Sequence, residues 1–322
     1  MCRPVRTAGS KGRHSTTQER FAYSADSQYT RRVAALGAGY NNGGSWRFGG
    51  SLAISLTDLR LVQSVGDRVS DGSTLRSLLV TSRMSGSAVQ VRSIFGTQYD
   101  GIEHVRIGAT LRTPALTVMH SGVVTLDSVL DNGPTSVGAS VFDAAATFEY
   151  HFPWEIQAGA AYIGTRGQIE FDVQGYTPVS AYSMLSSGKP LVLYTDGGAG
   201  VAPTVTTQPF NGLTSASRGF ANVSIGGDVK LFADRTWRAH FGLASDLSPV
   251  APEDQVFTTV DLMSWTLGLS GSIKKFSFSA GIHQRSGTAN DIVVRNLVSG
   301  QSIHTSSDIR TTGLIYSVSY QF

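Results

Sequence analysis

Apolar residues fall at every second position along most of this chain, and nowhere is a helical i, i+3, i+4 spacing sustained. Trp46, Phe48, Leu52, Ile54 and Leu56 are interleaved with Arg47, Gly49, Ser51 and Ser55. Val105, Ile107, Ala109 and Leu111 alternate with Arg106, Gly108, Thr110 and Arg112. The same rhythm runs through Phe142–Phe152, Trp154–Tyr162, Ala221–Leu231 and Phe276–Ile282. At the end of the chain Leu314, Tyr316, Val318, Tyr320 and Phe322 alternate with Gly313, Ile315, Ser317, Ser319 and Gln321. A period of two puts successive side chains on opposite faces of a strand. The chain is therefore all-β, with roughly 12–14 strands of about 10 residues, near the length that spans a tilted bilayer crossing.

Alternation alone does not say which face is wet. Charged residues are 15% of the chain, well below the roughly 25% usual in soluble proteins. The polar faces carry mainly Ser, Thr, Gly and Gln, not the long charged side chains that cover soluble sheets. Trp46, Trp154, Tyr162, Trp237 and Phe276 lie near strand ends, as an interfacial aromatic girdle requires. A sandwich would also need protected edges, which closure removes. These features favour a transmembrane antiparallel β-barrel over residues 31–322, apolar outside and polar inside. Residues 1–30 are polar and Arg/Ser-rich, with no apolar leader pattern, and read as a disordered or truncated segment. Tight links are expected at 41–44, 234–236 and 274–275. Longer ones are expected near 61–74, 127–137, 177–217, 247–257 and 286–308, and the short–long alternation does not extend through 76–138.

The formal charge of +3 is spread along the chain and gives no case for nucleic acid. Cys2 is the single cysteine, and the seven histidines show no metal-ligand spacing, so no metal or cofactor is expected. No G-x-S-x-G nucleophile motif is present, so the chain does not read as an enzyme. Arg106, Arg112, Glu149, Glu155, Glu170, Asp172 and Arg238 fall on the inner face, as a salt-bridge lattice or a selectivity filter. His240 and His283 share that face, as hydrogen-bonded fillers or as part of a barrel hydrolase. Val179, Tyr182, Met184, Leu185, Leu191, Val192, Leu193 and Tyr194 are many apolar residues for a loop. They form either a ligand-binding patch or an extra hairpin strand packed on its neighbours.

Three segments carry a family resemblance: "VRIGATLRTPALTVMHSG", "FPWEIQAGAAYIGTRGQIEFDVQGY" and "AHFGLASDLSPVAPEDQVFTTVDLMSWTLGLSG". Together they resemble the FadL/TodX group of outer-membrane transporters of long-chain fatty acids and other hydrophobic compounds. Asp246, Ser248 and Pro249 stand in the place of that family's Asp-x-Ser-Pro loop. The resemblance implies a monomeric barrel of about 14 strands in the bacterial outer membrane, filled by an N-terminal hatch. Ligand would land on an extracellular apolar groove, pass to an internal site and leave sideways at a kinked strand, driven by diffusion alone. No Asn-Pro-Ala-type hatch start is found here. The implied partners are a hydrophobic small molecule (fatty acid or hydrocarbon), outer-membrane lipid and the barrel-insertion machinery. Tyr316, Tyr320 and Phe322 would serve as the assembly signal for that machinery. A general diffusion porin or a structural outer-membrane barrel is the alternative, and a barrel hydrolase the third reading.

Overall fold

The structure is a computed structural model, and it describes residues 18–70, 75–210, 212–232, 236–251, 254, 259–295 and 302–320. Among these every regular element is a strand: β1 Gln18–Asn41, β2 Trp46–Ser70, β3 Leu75–Ile102, β4 Val105–Arg112, β5 Leu116–Asp131 and β6 Ser136–Phe148. They continue with β7 Glu155–Ile163, β8 Gly167–Tyr176, β9 Val179–Ser186, β10 Leu191–Asp196, β11 Thr204–Gln208 and β12 Leu213–Ser217. The last five are β13 Phe220–Lys230, β14 Arg238–Asp246, β15 Asp261–Ile273, β16 Phe276–Arg295 and β17 Ser302–Tyr320. β1 begins at Gln18, inside the segment 1–30 that the sequence set apart from the barrel, and residues 1–17 lie outside the described ones.

All the strand pairings are antiparallel. β1 pairs with β2 and β2 with β3. β3 carries β4 along one half and β5 along the other. The sheet then runs from β4 through β7, β8, β13, β14, β15 and β16 to β17. β5 leads instead to β6, β10 and β11. Because β4 and β5 pair in sequence along one strand, they are two halves of one rod. The same holds for β6 with β7, β8 with β9, and β12 with β13. The 17 segments thus make 13 rods. Among the described residues no pairing joins β1 to β17.

The links at 42–45, 103–104, 164–166 and 274–275 all fall at one end of the sheet. Gly43 takes a left-handed φ of 76° in the first of them, where asparagine side chains cap the turn. The link between β13 and β14 is at this end too, and its residues 233–235 lie outside the described ones. At the other end strands overrun: β1, β2 and β3 are 24, 25 and 28 residues long. Stretches 61–70, 127–131, 286–295 and 302–308, expected as loops, are strand.

The reason for that correction is an inversion of the two faces. Near the short links, β2 points Leu52 and Ile54 outward and Ala53, Ser55 and Thr57 inward. Beyond residue 57 it points Asp58 and Arg60 outward and Leu59 and Leu61 inward. Met84, Val124, Val141 and Phe148 join Leu59 and Leu61 in a buried core, with Met184 and Leu185 of β9 laid across it. Burying a side chain of that size from water stabilises by about 1.5–3 kcal/mol. This half follows the rule of a water-soluble sheet and the other half the rule of a lipid-facing one, so polar stretches that resemble loops in the sequence continue the strands.

The lower, outward-apolar band is continuous. Ile107, Ile156, Phe171, Ile225, Leu243, Leu267, Tyr316 and Val318 are all exposed large side chains on it. Trp46, stacked near Phe48 and Tyr99, and Phe276, against Tyr320, lie toward its short-link edge. In water such a surface would be an aggregation liability; facing acyl chains it is the stable arrangement.

Candidate functional site

Four rods break at one height. Ile94, Arg112, Glu155, Tyr176 and Phe220 are consecutive cross-strand partners and form the last row of regular pairing. Directly beyond it come Thr113–Pro114–Ala115, Glu149–Trp154 with Pro153, Thr177–Pro178 and Arg218–Gly219. Proline has no N–H for a ladder, so three of the four breaks sit where the sequence removes a donor. Side chains take over the lost bonds. The Ser93 amide donates to Thr113 Oγ1 at 3.1 Å, and the Trp154 amide to Thr177 Oγ1 at 3.1 Å.

The two rods β4/β5 and β6/β7 separate here. Their ladder stops at Arg112–Glu155 and resumes at Gly122–Ala146. Among the described residues no ladder pair joins 113–121 to 147–154, which leaves a window in the wall. Leu116, Met119, Trp154 and Ile156 are exposed beside it. Gln90, fully buried on β3, reaches across the inner side and donates to Thr117 Oγ1 at 3.2 Å and to the Tyr150 carbonyl, while accepting from Thr57.

Inside, at the height of the break, lies a cavity of about 440 Å³ lined by Arg31, Arg92, Arg112, Glu155, Phe152 and Tyr176, with Val33, Ala53 and Ile94. Glu155 is 9% exposed at its side chain and accepts from Arg92 at 3.1 Å, from Arg112 and from Gln174. The Arg31 guanidinium lies 4.2 Å from the Phe152 ring centroid and that of Arg92 5.7 Å, two cation–π contacts to one ring. Three arginines against one carboxylate leave a formal +2 beside apolar walls. Such a cavity can hold an anionic headgroup with an apolar body.

The residues singled out by sequence do not gather in one place. Glu155 is the centre of this cavity and Arg112 one of its walls. Arg106, Glu170 and Asp172 line a second cavity of about 440 Å³ nearer the short links. His283 faces a third, of about 390 Å³, with Glu170 and Asp172. Glu149 instead pairs with His151 at 3.3 Å in the window. Arg238 binds Asp228 through both carboxylate oxygens, one at 2.7 Å. His240 Nε2 lies 2.7 Å from Ser270 Oγ, the contact that a hydrolase reading requires. Among the described residues no carboxylate pairs with His240, and the adjacent Asp228 is held by Arg238, so the pair bridges β14 and β15.

Met184 and Leu185 are fully buried, and Tyr182 packs against the same core while its ring stacks on His151 at 4.0 Å. Val179 is half-buried on β9, Leu191 packs against the core, Leu193 is half-buried beside it, and Tyr194 is exposed on β10. The Asp246–Pro249 loop folds back on the Arg218 break. The Arg218 amide donates to the Pro249 carbonyl at 2.8 Å, its guanidinium to the Ser248 carbonyl at 3.0 Å and to Asp261, and Asp246 faces Arg285 at 3.6 Å. Tyr316 and Tyr320 lie on the outward face of β17, and Phe322 lies outside the described residues. Sequence reasoning missed Arg31, Arg92, Gln90 and Phe152. For the first three the signal was a long polar side chain in an otherwise small inward series, legible only once the register is known.

Among the described residues no group of three His, Cys, Asp or Glu is placed to hold a metal ion. No protein-family model and no curated protein matches the chain. Solved structures that resemble it include a Pseudomonas aeruginosa FadL homologue (TM-score 0.43, 11% identity, covering 89% of this chain and 77% of that one). Others are the Pseudomonas putida toluene transporter TodX (TM-score 0.39, 12% identity, 96% and 90% covered) and the CymD monoaromatic hydrocarbon channel (TM-score 0.39, 11% identity, 94% and 88%).

Proposed function

We propose that this chain is a β-barrel of the bacterial outer membrane that lets hydrophobic molecules cross by diffusion, and that its ligands are long-chain fatty acids. The arginine-lined cavity behind a ladder-free window in an apolar wall carries this reading. Arg31, Arg92 and Arg112 supply donors for a carboxylate, while Phe152, Val33 and Ile94 offer apolar contact to the chain behind it. Segments 113–121 and 147–154, which among the described residues share no ladder bond with each other, would form the sideways exit into lipid. No energy source is needed, because moving an apolar body from water to acyl chains is downhill.

The test begins with the refolded protein in detergent, showing a heat-modifiable band on an unheated gel. A fluorescent long-chain fatty acid should then bind saturably and be displaced by unlabelled fatty acid better than by the alcohol of equal length. Ion conductance in planar bilayers without such binding would favour a general porin, with the polar cavity at Arg106, Glu170 and Asp172 as its channel lining. A chain that stays soluble and monomeric without detergent would overturn the membrane reading altogether.

A further inference from the structure

Four adjacent outward rows on β1, β2, β3 and β5 can be read from the register. Ala34, Ile54, Val91 and Leu116 form an apolar row. The next is Arg32, Leu56, Val89 and Met119. Then come Thr30, Asp58, Ser87 and Ser121, all polar, followed by Gln28, Arg60, Ser85 and Val123. The wall thus changes from acyl-compatible to hydroxyl-rich within one row, at the same height on four strands. An outward concavity of about 350 Å³ sits across that line, with Arg32, Arg60, Asp58, Thr30, Ser87 and Ser121 among its walls. Both arginines are exposed, and among the described residues no ion pair joins either of them to Asp58.

We propose that this concavity binds the headgroup of a membrane lipid that carries a phosphate and several hydroxyls. Arg32 and Arg60 would hold the phosphate, Asp58 and the Ser/Thr ring would exchange hydrogen bonds with the hydroxyls, and the acyl chains would lie on Leu56, Val89 and Ile54. Arginine suits phosphate because its planar fork donates two parallel bonds. An arginine in the boundary row can place its stem on lipid and its charge in the headgroup layer. Asp58 distinguishes the site from a plain anion trap, since a headgroup without donors leaves that carboxylate facing phosphate. The inference rests on the lipid-facing reading of the wall.

The test uses the full chain in detergent micelles, first shown to be heat-modifiable, with phosphatidylinositol as probe and bound lipid counted by native mass spectrometry. Phosphatidylinositol should be retained in preference to phosphatidylcholine. The double variant Arg32→Gln/Arg60→Gln should reduce its retention about tenfold, with heat-modifiability intact. Arg68→Gln, on the same face but four rows further from lipid, should leave retention unchanged. Equal retention of phosphatidylinositol by wild type and double variant would overturn the proposal, as would equal retention of phosphatidylcholine. Displacement by inorganic phosphate at matching concentration would also overturn it, by making this a site for soluble anion. A chain without a heat-modifiable band refutes the barrel reading itself, a failure distinct from each of these.

Discussion

Glu155→Gln tests the cavity with two readouts of opposite sign. The carboxylate is 9% exposed and Arg92, one of its partners, 10%. Removing one member of a buried pair costs about 3–5 kcal/mol, because the other charge stays buried without its counter-ion. Glutamine keeps the size and one acceptor oxygen, and Arg112 at 28% exposure retains water. The expected loss is therefore nearer 2–3 kcal/mol, read as a lower urea midpoint for unfolding from short-chain lipid vesicles. The cavity's formal charge meanwhile rises from +2 to +3, as three arginines lose their one carboxylate. At an effective dielectric near 20, with screening, that adds about 1 kcal/mol of attraction for a bound carboxylate, or roughly fivefold in affinity. The alcohol of the same chain length should bind as before. Fatty acid and alcohol tightening together would mean that the cavity had merely opened, and an unchanged urea midpoint would mean that Glu155 locks nothing; either refutes the reasoning.

Other perturbations probe other levels. A Cβ added at Gly86 would overlap the Phe148 ring in the fully buried core, so Gly86→Ala should destabilise by about 1–3 kcal/mol, visible in the same urea titration. Asp143, beyond the apolar band, accepts from the Ser187 hydroxyl at 2.7 Å and from the Ala145 and Gly188 amides, and chiefly the Ser187 bond holds its carboxyl below the usual range. A depressed carboxylate stabilises above its unfolded value of about 4 and loses that contribution as pH falls through the folded value. Amides 186–189 should accordingly be well protected at neutral pH, relative to their intrinsic exchange rates, and lose that protection in acid, while in Asp143→Asn they should be poorly protected at both. Arg218→Ala should free the link between β14 and β15, at a cost of about 1 kcal/mol given its half-exposed pairing, and protease should then cut between them faster than in wild type.

The strand content, the short links at 41–44 and 274–275 and the outward aromatics could be read from period two alone, because that pattern is local. The extensions were not legible, since Asp58 and Arg60 on β2 look like loop residues until Leu59 and Leu61 are known to face a core. Pro114, Pro153 and Pro178 each read as an ordinary loop proline. That they stand at one height depends on pairing across 65 positions of chain, which no local window contains. Arg31 and Arg92 were invisible for the same reason, being 61 residues apart in sequence and brought to one cavity through β2.

The reversal of faces at residues 57 and 58 of β2 also acts as a waterline. Moving the protein down by one row, about 5 Å of depth for a tilted strand, would submerge Asp58 together with Ser87 and Ser121. Moving it up would lift Leu56, Val89 and Met119 into water. Neither displacement is compensated elsewhere on those strands, because the aromatic residues at the opposite rim would leave their own interface at the same time. The chain should therefore hold its depth and make a bilayer of unsuitable thickness deform around it. Reconstituted into lipids of increasing acyl length, it should change the thickness of the surrounding film before it changes the exposure of residue 58.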